Sequence, residues 1–276
     1  MSLNNNSKSD QQHINKDNLN DVVKTESNSF IKKIGFDLIS GVLSGLSVAP
    51  FVSIIDKGIT QNASGASKLW TSIGLSIKSL IKSPISFIGR PEFRWIFAVY
   101  FSTYSSRNII SSVCEKKKIN PEIPIFFGVS AINLFMSISK DRAFAKLFGT
   151  KIPESIPIRT IGLWATRDCL TILFAFIVPP RLALYLQKNH KVTKGKSEVM
   201  AQFICPVFIQ LFSTPLHLLG LDLYNNKVST VEKRIAFIKR EYTKSVVARM
   251  MRIIPAFGLG GVCNGIYRNY FHKNYL

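Results

Sequence analysis

The chain has 276 residues, 46% of them hydrophobic, a mean hydropathy of +0.16 and a formal net charge of +20 from 36 Lys and Arg against 16 Asp and Glu. Its apolar residues gather into blocks near the ~20 residues that cross a bilayer core as a helix, which argues against a soluble two-domain protein. The basic residues lie mostly between the blocks, without a basic stripe interleaved with exposed aromatics, which argues against a nucleic-acid-binding module; attraction to anionic lipid head groups accounts for the charge more simply.

Residues 1–33 are rich in Asn, Ser, Asp and Lys and hold almost no aromatic side chains. Such a segment cannot bury enough apolar surface to order itself and is expected to be disordered. It carries Asp10, Asp17, Asp21 and Glu26, and no arginine before the first apolar block. That composition does not match a cleavable transit peptide, and the segment lacks the apolar stretch of a secretory signal, so any targeting signal is expected to be internal.

Candidate spans follow at Leu38–Ile55, Trp95–Val113, Ile123–Ile138, Ile161–Leu186, Val199–Leu221 and Met251–Tyr267. Several contain Gly, Ser, Thr or Pro, as helices do when they pack on one another or line a cavity. Between the first two, Leu69, Ile73, Ile77, Leu80 and Ile81 recur at three- and four-residue spacing with lysines and serines elsewhere, the pattern of a helix in a membrane interface. Val228, Val231, Ile235, Ile238 and Tyr242 repeat that pattern before the last span. The chain therefore divides into units at 34–115, 120–190 and 196–273, the middle one degenerate because its connection from Gly149 to Ile158 is short and proline-broken.

Chemistry-bearing residues are few. Cys114, Cys169, Cys205 and Cys263 lie far apart, as do the four histidines, and no metal-ligand spacing, nucleophile elbow, phosphate loop or dinucleotide fingerprint occurs. No metal, cofactor or catalytic residue is expected, and the chain does not read as an enzyme. The exception is charge inside apolar spans: Arg249 and Arg252 beside Pro255, and Arg167-Asp168 in the fourth block. Ionised side chains at membrane depth are costly and usually face a cavity or a partner.

Three units of span, surface helix and span, with Ala49-Pro50 and Asp56-Lys57 in the first, Ala98 to Tyr104 in the second span and Arg249 to Gly258 in the last, resemble the mitochondrial carrier family. The resemblance covers about Gly35 to Tyr270. It implies an all-α membrane protein of six transmembrane helices in three pseudo-repeats with short interfacial helices, in the mitochondrial inner membrane and in contact with anionic, cardiolipin-like lipid. It implies a monomer that moves a small charged metabolite, such as an amino acid or a carnitine-like molecule, through a central cavity. Arg252, Arg167, Asp168 and Glu92 match the substrate contacts by position, and Pro50, Pro215 and Pro255 the helix kinks. That family's gate positions hold Val52 and Ile55 after Pro50, and His217 and Gly220 after Pro215. A second reading follows from this loss: a carrier-fold scaffold or adaptor that transports nothing, in the outer membrane. A polar cavity shared by Arg167, Asp168 and Arg252 favours the first reading, and an apolar-packed interior favours the second.

Overall fold

The computed structural model describes residues 6–63, 66–148, 157–225 and 229–276. Among them every regular element is helical: α1 (Asn6–Ala63), α2 (Leu69–Lys82), α3 (Pro84–Ile88), α4 (Pro91–Lys117), α5 (Glu122–Phe148), α6 (Ile158–Ile172), α7 (Val178–His190), α8 (Lys194–Asn225), α9 (Val231–Ile253) and α10 (Gly260–Tyr275). Wide π-helical turns at Leu173–Ile177 and Ile254–Leu259 join α6 to α7 and α9 to α10. Of the polar segment at 1–33, expected to be disordered, residues 1–5 lie outside the described residues; from Asn6 on its backbone belongs to α1, with side chains described from Ser27. The expected middle connection, Gly149 to Ile158, also lies almost wholly outside them.

Among the described residues five stretches are long and apolar enough to cross a membrane: Ser27–Gln61, Glu122–Phe148, Ile158–His190, Lys194–Leu223 and Val231–Tyr275. The expectation of six is corrected to five. The block at Trp95–Val113 drops out because α4 is interrupted by Ser102, Thr103, Ser105, Ser106, Arg107, Asn108, Ser111 and Ser112. Those polar groups point inward: Thr103, Asn108 and Ser112 are fully buried. A helix polar on its buried side needs hydrogen-bonding neighbours, and α4 has them. Asn108 and Asn264 exchange side-chain amide hydrogen bonds at 2.9 Å, Ser44 donates to Asn264 at 3.2 Å, and Asn133 donates to Thr103 at 2.9 Å. These bonds join α4 to α5 and α10, and α10 to α1.

The repeat is not reproduced. In the first third α2 is a separate helix: Ser72 and Ser76 are buried and Ile73 and Leu80 pack against the core, while Trp70, Leu75 and Ile81 stand exposed. Small serines let α2 lie close to α1, and the large apolar side chains remain for an apolar surrounding. In the last third no separate surface helix exists. The expected boundary near Arg249 falls inside α9, which runs unbroken from Val231 to Ile253, because the charged and apolar halves share one helical register with no breaker between them.

Proline accounts for much of the remaining geometry. It lacks an N–H, so the carbonyl four residues earlier loses its partner. Pro215, inside α8, frees the carbonyl of Leu211, and the Tyr242 hydroxyl donates to it at 2.8 Å. Pro179 frees that of Ala175 in the first π-helical turn, and Gln202 Nε2 donates there at 3.1 Å and to Phe257 O, in the second turn, at 2.8 Å. Tyr104 Oη completes this region by donating to Ala256 O at 2.8 Å. Pro50 lies inside α1 and Pro255 inside the second π-helical turn.

The α1–α4 contact depends on glycine. A Cβ on Gly41 would stand 3.0 Å from the Ser105 backbone nitrogen and 3.1 Å from its Cα, and backbone cannot move aside as a side chain can. Gly41→Leu is therefore expected to destabilise the bundle by about 1–3 kcal/mol, read as a lower apparent Tm of the detergent-solubilised protein; an unchanged Tm would refute this packing.

Candidate functional site

A cavity of about 690 Å³ opens between α1, α4, α5, α6, α8 and α9, a volume typical of small-molecule sites. Arg142 and Lys146 stand exposed at its mouth. Its floor holds Tyr100 and Phe257, whose rings meet edge to face at 5.9 Å. Phe257 meets Phe176 at 5.7 Å and Phe176 meets Tyr104 at 5.9 Å, also edge to face. Phe176 and Phe257 sit in the two π-helical turns, whose widened backbones place one ring each at the end of the cavity.

Arg167, Asp168 and Arg252, three of the residues singled out in the sequence, all line this cavity. Arg167 and Asp168 are adjacent on α6 and pair side by side, with Nε to Oδ1 and Nη2 to Oδ2 each at 2.9 Å. Arg167 Nη1 lies 2.8 Å from His217 Nδ1 on α8. A guanidinium only donates, so that contact requires a neutral His217 ring carrying its proton on Nε2. Trp164 holds the other side of this residue by donating Nε1–H to His217 O at 3.4 Å.

Arg252 belongs to a second group. Its Nε lies 3.0 Å from Asp56 Oδ1, and Lys140 Nζ lies 2.8 Å from Asp56 Oδ2 and 2.8 Å from Asp141 Oδ1. The Arg252 Nε–H is not aimed at the Asp56 oxygen, so the contact is an ion pair without a formed hydrogen bond at that nitrogen. Asp56 and Lys140 are nearly inaccessible, at 6% and 4% side-chain exposure, and burial of this depth is tolerated only because each charge offsets the other. Asp56 thus draws together α1, α5 and α9.

Glu92 does not join these residues. At the start of α4 it is buried against Lys57, Oε1 to Nζ 2.9 Å, and contributes nothing to the cavity lining. Conversely, the cavity contains groups that the sequence had not marked as a site: Asp56, Lys140, Asp141, Gln210 and His217; Arg249, singled out with Arg252 as a charge inside an apolar span, lines it as well. The available signal for Lys140-Asp141 was a charged pair at the end of an apolar block. For Gln210 there was none, because an amide inside an apolar helix looks the same whether it faces a cavity or a carbonyl.

Beyond the aromatic floor the bundle is tied shut. Asp37, with no exposed surface, accepts from Ser112 and lies 2.9 Å from Arg268 Nε and 3.0 Å from His272 Nε2. Arg268 Nη2 also reaches Glu115 at 3.2 Å, and Lys33 Nζ pairs with Glu115 at 2.6 Å. Glu115 stands past the apolar stretch of α4. Its partial burial pushes its carboxyl up, but the Lys33 and Arg268 cations outweigh this and hold it down to about 2.

A family model described as probable citrulline exporter matches residues 40–272. No curated protein and no solved structure matches the chain. The match overturns the resemblance to mitochondrial carriers. The residues behind that resemblance, prolines in apolar helices and arginines near them, recur wherever charged cavities are built from broken helices. The mitochondrial membrane, inner or outer, rested on the same resemblance, and the family match does not show it. The cavity that Arg167, Asp168 and Arg252 share is lined by charged and polar side chains rather than filled by apolar ones.

Asp56→Asn is expected to leave Lys140 and Arg252 short of counter-charge and to cost about 3 kcal/mol or more. Adding Lys140→Met should restore part of the loss. Chemical denaturation of the three proteins checks this, and equal stability of wild type and single variant would remove Asp56 from its central role.

Proposed function

The chain belongs to the probable citrulline exporter family, and from that premise we propose that it exports a small zwitterionic amino acid of the citrulline type through the charged cavity. The observation that carries the reading is a cavity of about 690 Å³ lined by basic and acidic side chains inside an otherwise apolar bundle. Burying so many ionised groups is costly unless something uses them. A zwitterion suits them, since its carboxylate and ammonium each find an opposite charge on the wall. A neutral ureido group, as in citrulline, can both donate and accept hydrogen bonds with an amide such as that of Asn133 at the same surface.

Two further features support a transport cycle. The segments beside the cavity floor are helices interrupted by π-helical turns, and discontinuous helices frequently form transporter binding sites. The cavity is open beside Arg142 and Lys146, and the Asp37 and Glu115 ion pairs close the opposite end, the arrangement of one state of an alternating-access cycle. In this reading α4, too polar to cross alone, lies inside the bundle, sheltered from lipid by the other helices. A partner other than the transported molecule is not needed.

The test is efflux of radiolabelled L-citrulline from proteoliposomes containing the purified protein. Wild type should release it faster than empty liposomes. Asp168→Asn, which removes an anionic site for the ammonium, should slow release by about tenfold or more. Absence of efflux with citrulline and with a panel of other amino acids would reject the proposal.

A further inference from the structure

Among the described residues, the ionised side chains deep in the cavity are compensated with one exception. Lys140 and Arg252 share Asp56, and Arg167 is forked onto Asp168. Arg249 lines the same cavity from α9, and among the described residues it meets no carboxylate. Its Nη2 donates to Gln210 Oε1 at 2.7 Å and to Ser213 Oγ at 3.2 Å, while its buried Nε has no acceptor. Gln210 and Ser213 are themselves fully buried. Gln210 is fixed in turn: its Nε2 donates to Pro206 O at 2.9 Å, which turns the amide oxygen toward Arg249. The guanidinium is therefore held in position from one side by neutral acceptors, and its charge is left unmatched.

We propose that Arg249 is the group that takes the α-carboxylate of the exported amino acid, with Gln210 and Ser213 as its positioning residues; this rests on the export reading of the cavity. A guanidinium presents parallel N–H donors that match a carboxylate in two-point contact, and such charge-assisted pairs are among the strongest hydrogen bonds a protein makes. The other deep cations at the cavity would have to give up a protein carboxylate to do the same. Arg249 gains a partner without losing one. The division of labour follows: Arg249 receives the carboxylate, and the acidic side chains that α5 and α6 bring to the cavity, Asp141 and Asp168, receive the ammonium.

Ligand-induced thermal stabilisation of the detergent-solubilised protein, titrated with L-citrulline and with its carboxamide, separates the outcomes. Wild type is expected to bind the acid about 10- to 100-fold more tightly than the amide. Arg249→Gln should lose that preference, binding both at the weak level of the amide, and Arg249→Lys should keep part of it, since charge survives while the two-point geometry does not. The comparison of acid with amide on wild type needs no variant to fold. Equal affinity of wild type for acid and amide, an undiminished preference in Arg249→Gln, or equal stabilisation by inorganic phosphate would overturn the assignment while leaving export intact. If wild type neither binds nor releases any amino acid, the export reading fails and the assignment fails with it.

Discussion

Asp56 is the point on which the bundle depends. It lies on α1, almost without exposed surface, and its two oxygens face Lys140 from α5 and Arg252 from α9. A lone carboxylate in this environment would cost on the order of several kcal/mol to desolvate, and so would either cation; together they offset one another and fix the mutual positions of three helices. The same contacts keep a polar space open, because side chains committed to an ion pair cannot collapse into an apolar core. The cavity follows from charge compensation as much as from helix geometry.

A second constraint, the backbone polarity that proline exposes, shapes the other end of that space. Pro179 and Pro215 each leave a carbonyl unsatisfied within an apolar helix, and Gln202 and Tyr242 supply the missing donors. Gln202 reaches both π-helical turns, so one side chain holds together the two places where long helices are interrupted. Phe176 and Phe257 pack edge to face there, between the cavity and the Asp37–Arg268 pairs beyond. A broken helix inside a bundle is thus both satisfied and positioned, which transport through it would require.

Much of this was legible before any coordinates. Arg167, Asp168 and Arg252 stood out because ionised residues in apolar blocks have few explanations, and the cavity contains all three. Glu92 did not follow, because the helix position that resembled a contact also lies within reach of Lys57, and a salt bridge at 2.9 Å occupies it. The six-span count failed at α4, whose residues are polar in the middle; hydropathy averaged along a helix cannot tell a helix polar toward its neighbours from one polar toward water. The mitochondrial carrier resemblance failed for a related reason, since short proline and arginine motifs record local geometry and not ancestry.

The sequence by itself determined that this is a helical membrane chain with charge inside its apolar blocks, because block length, composition and helical spacing are local properties. Tertiary structure decided which charges are matched. Asp56, Lys140 and Arg252 are separated by 84 and 112 positions in the chain yet meet at about 3 Å, whereas Arg249, three residues from Arg252, meets only neutral groups. Compensation between charges depends on their separation in space, weakening as the inverse of that distance, and a linear pattern does not encode it.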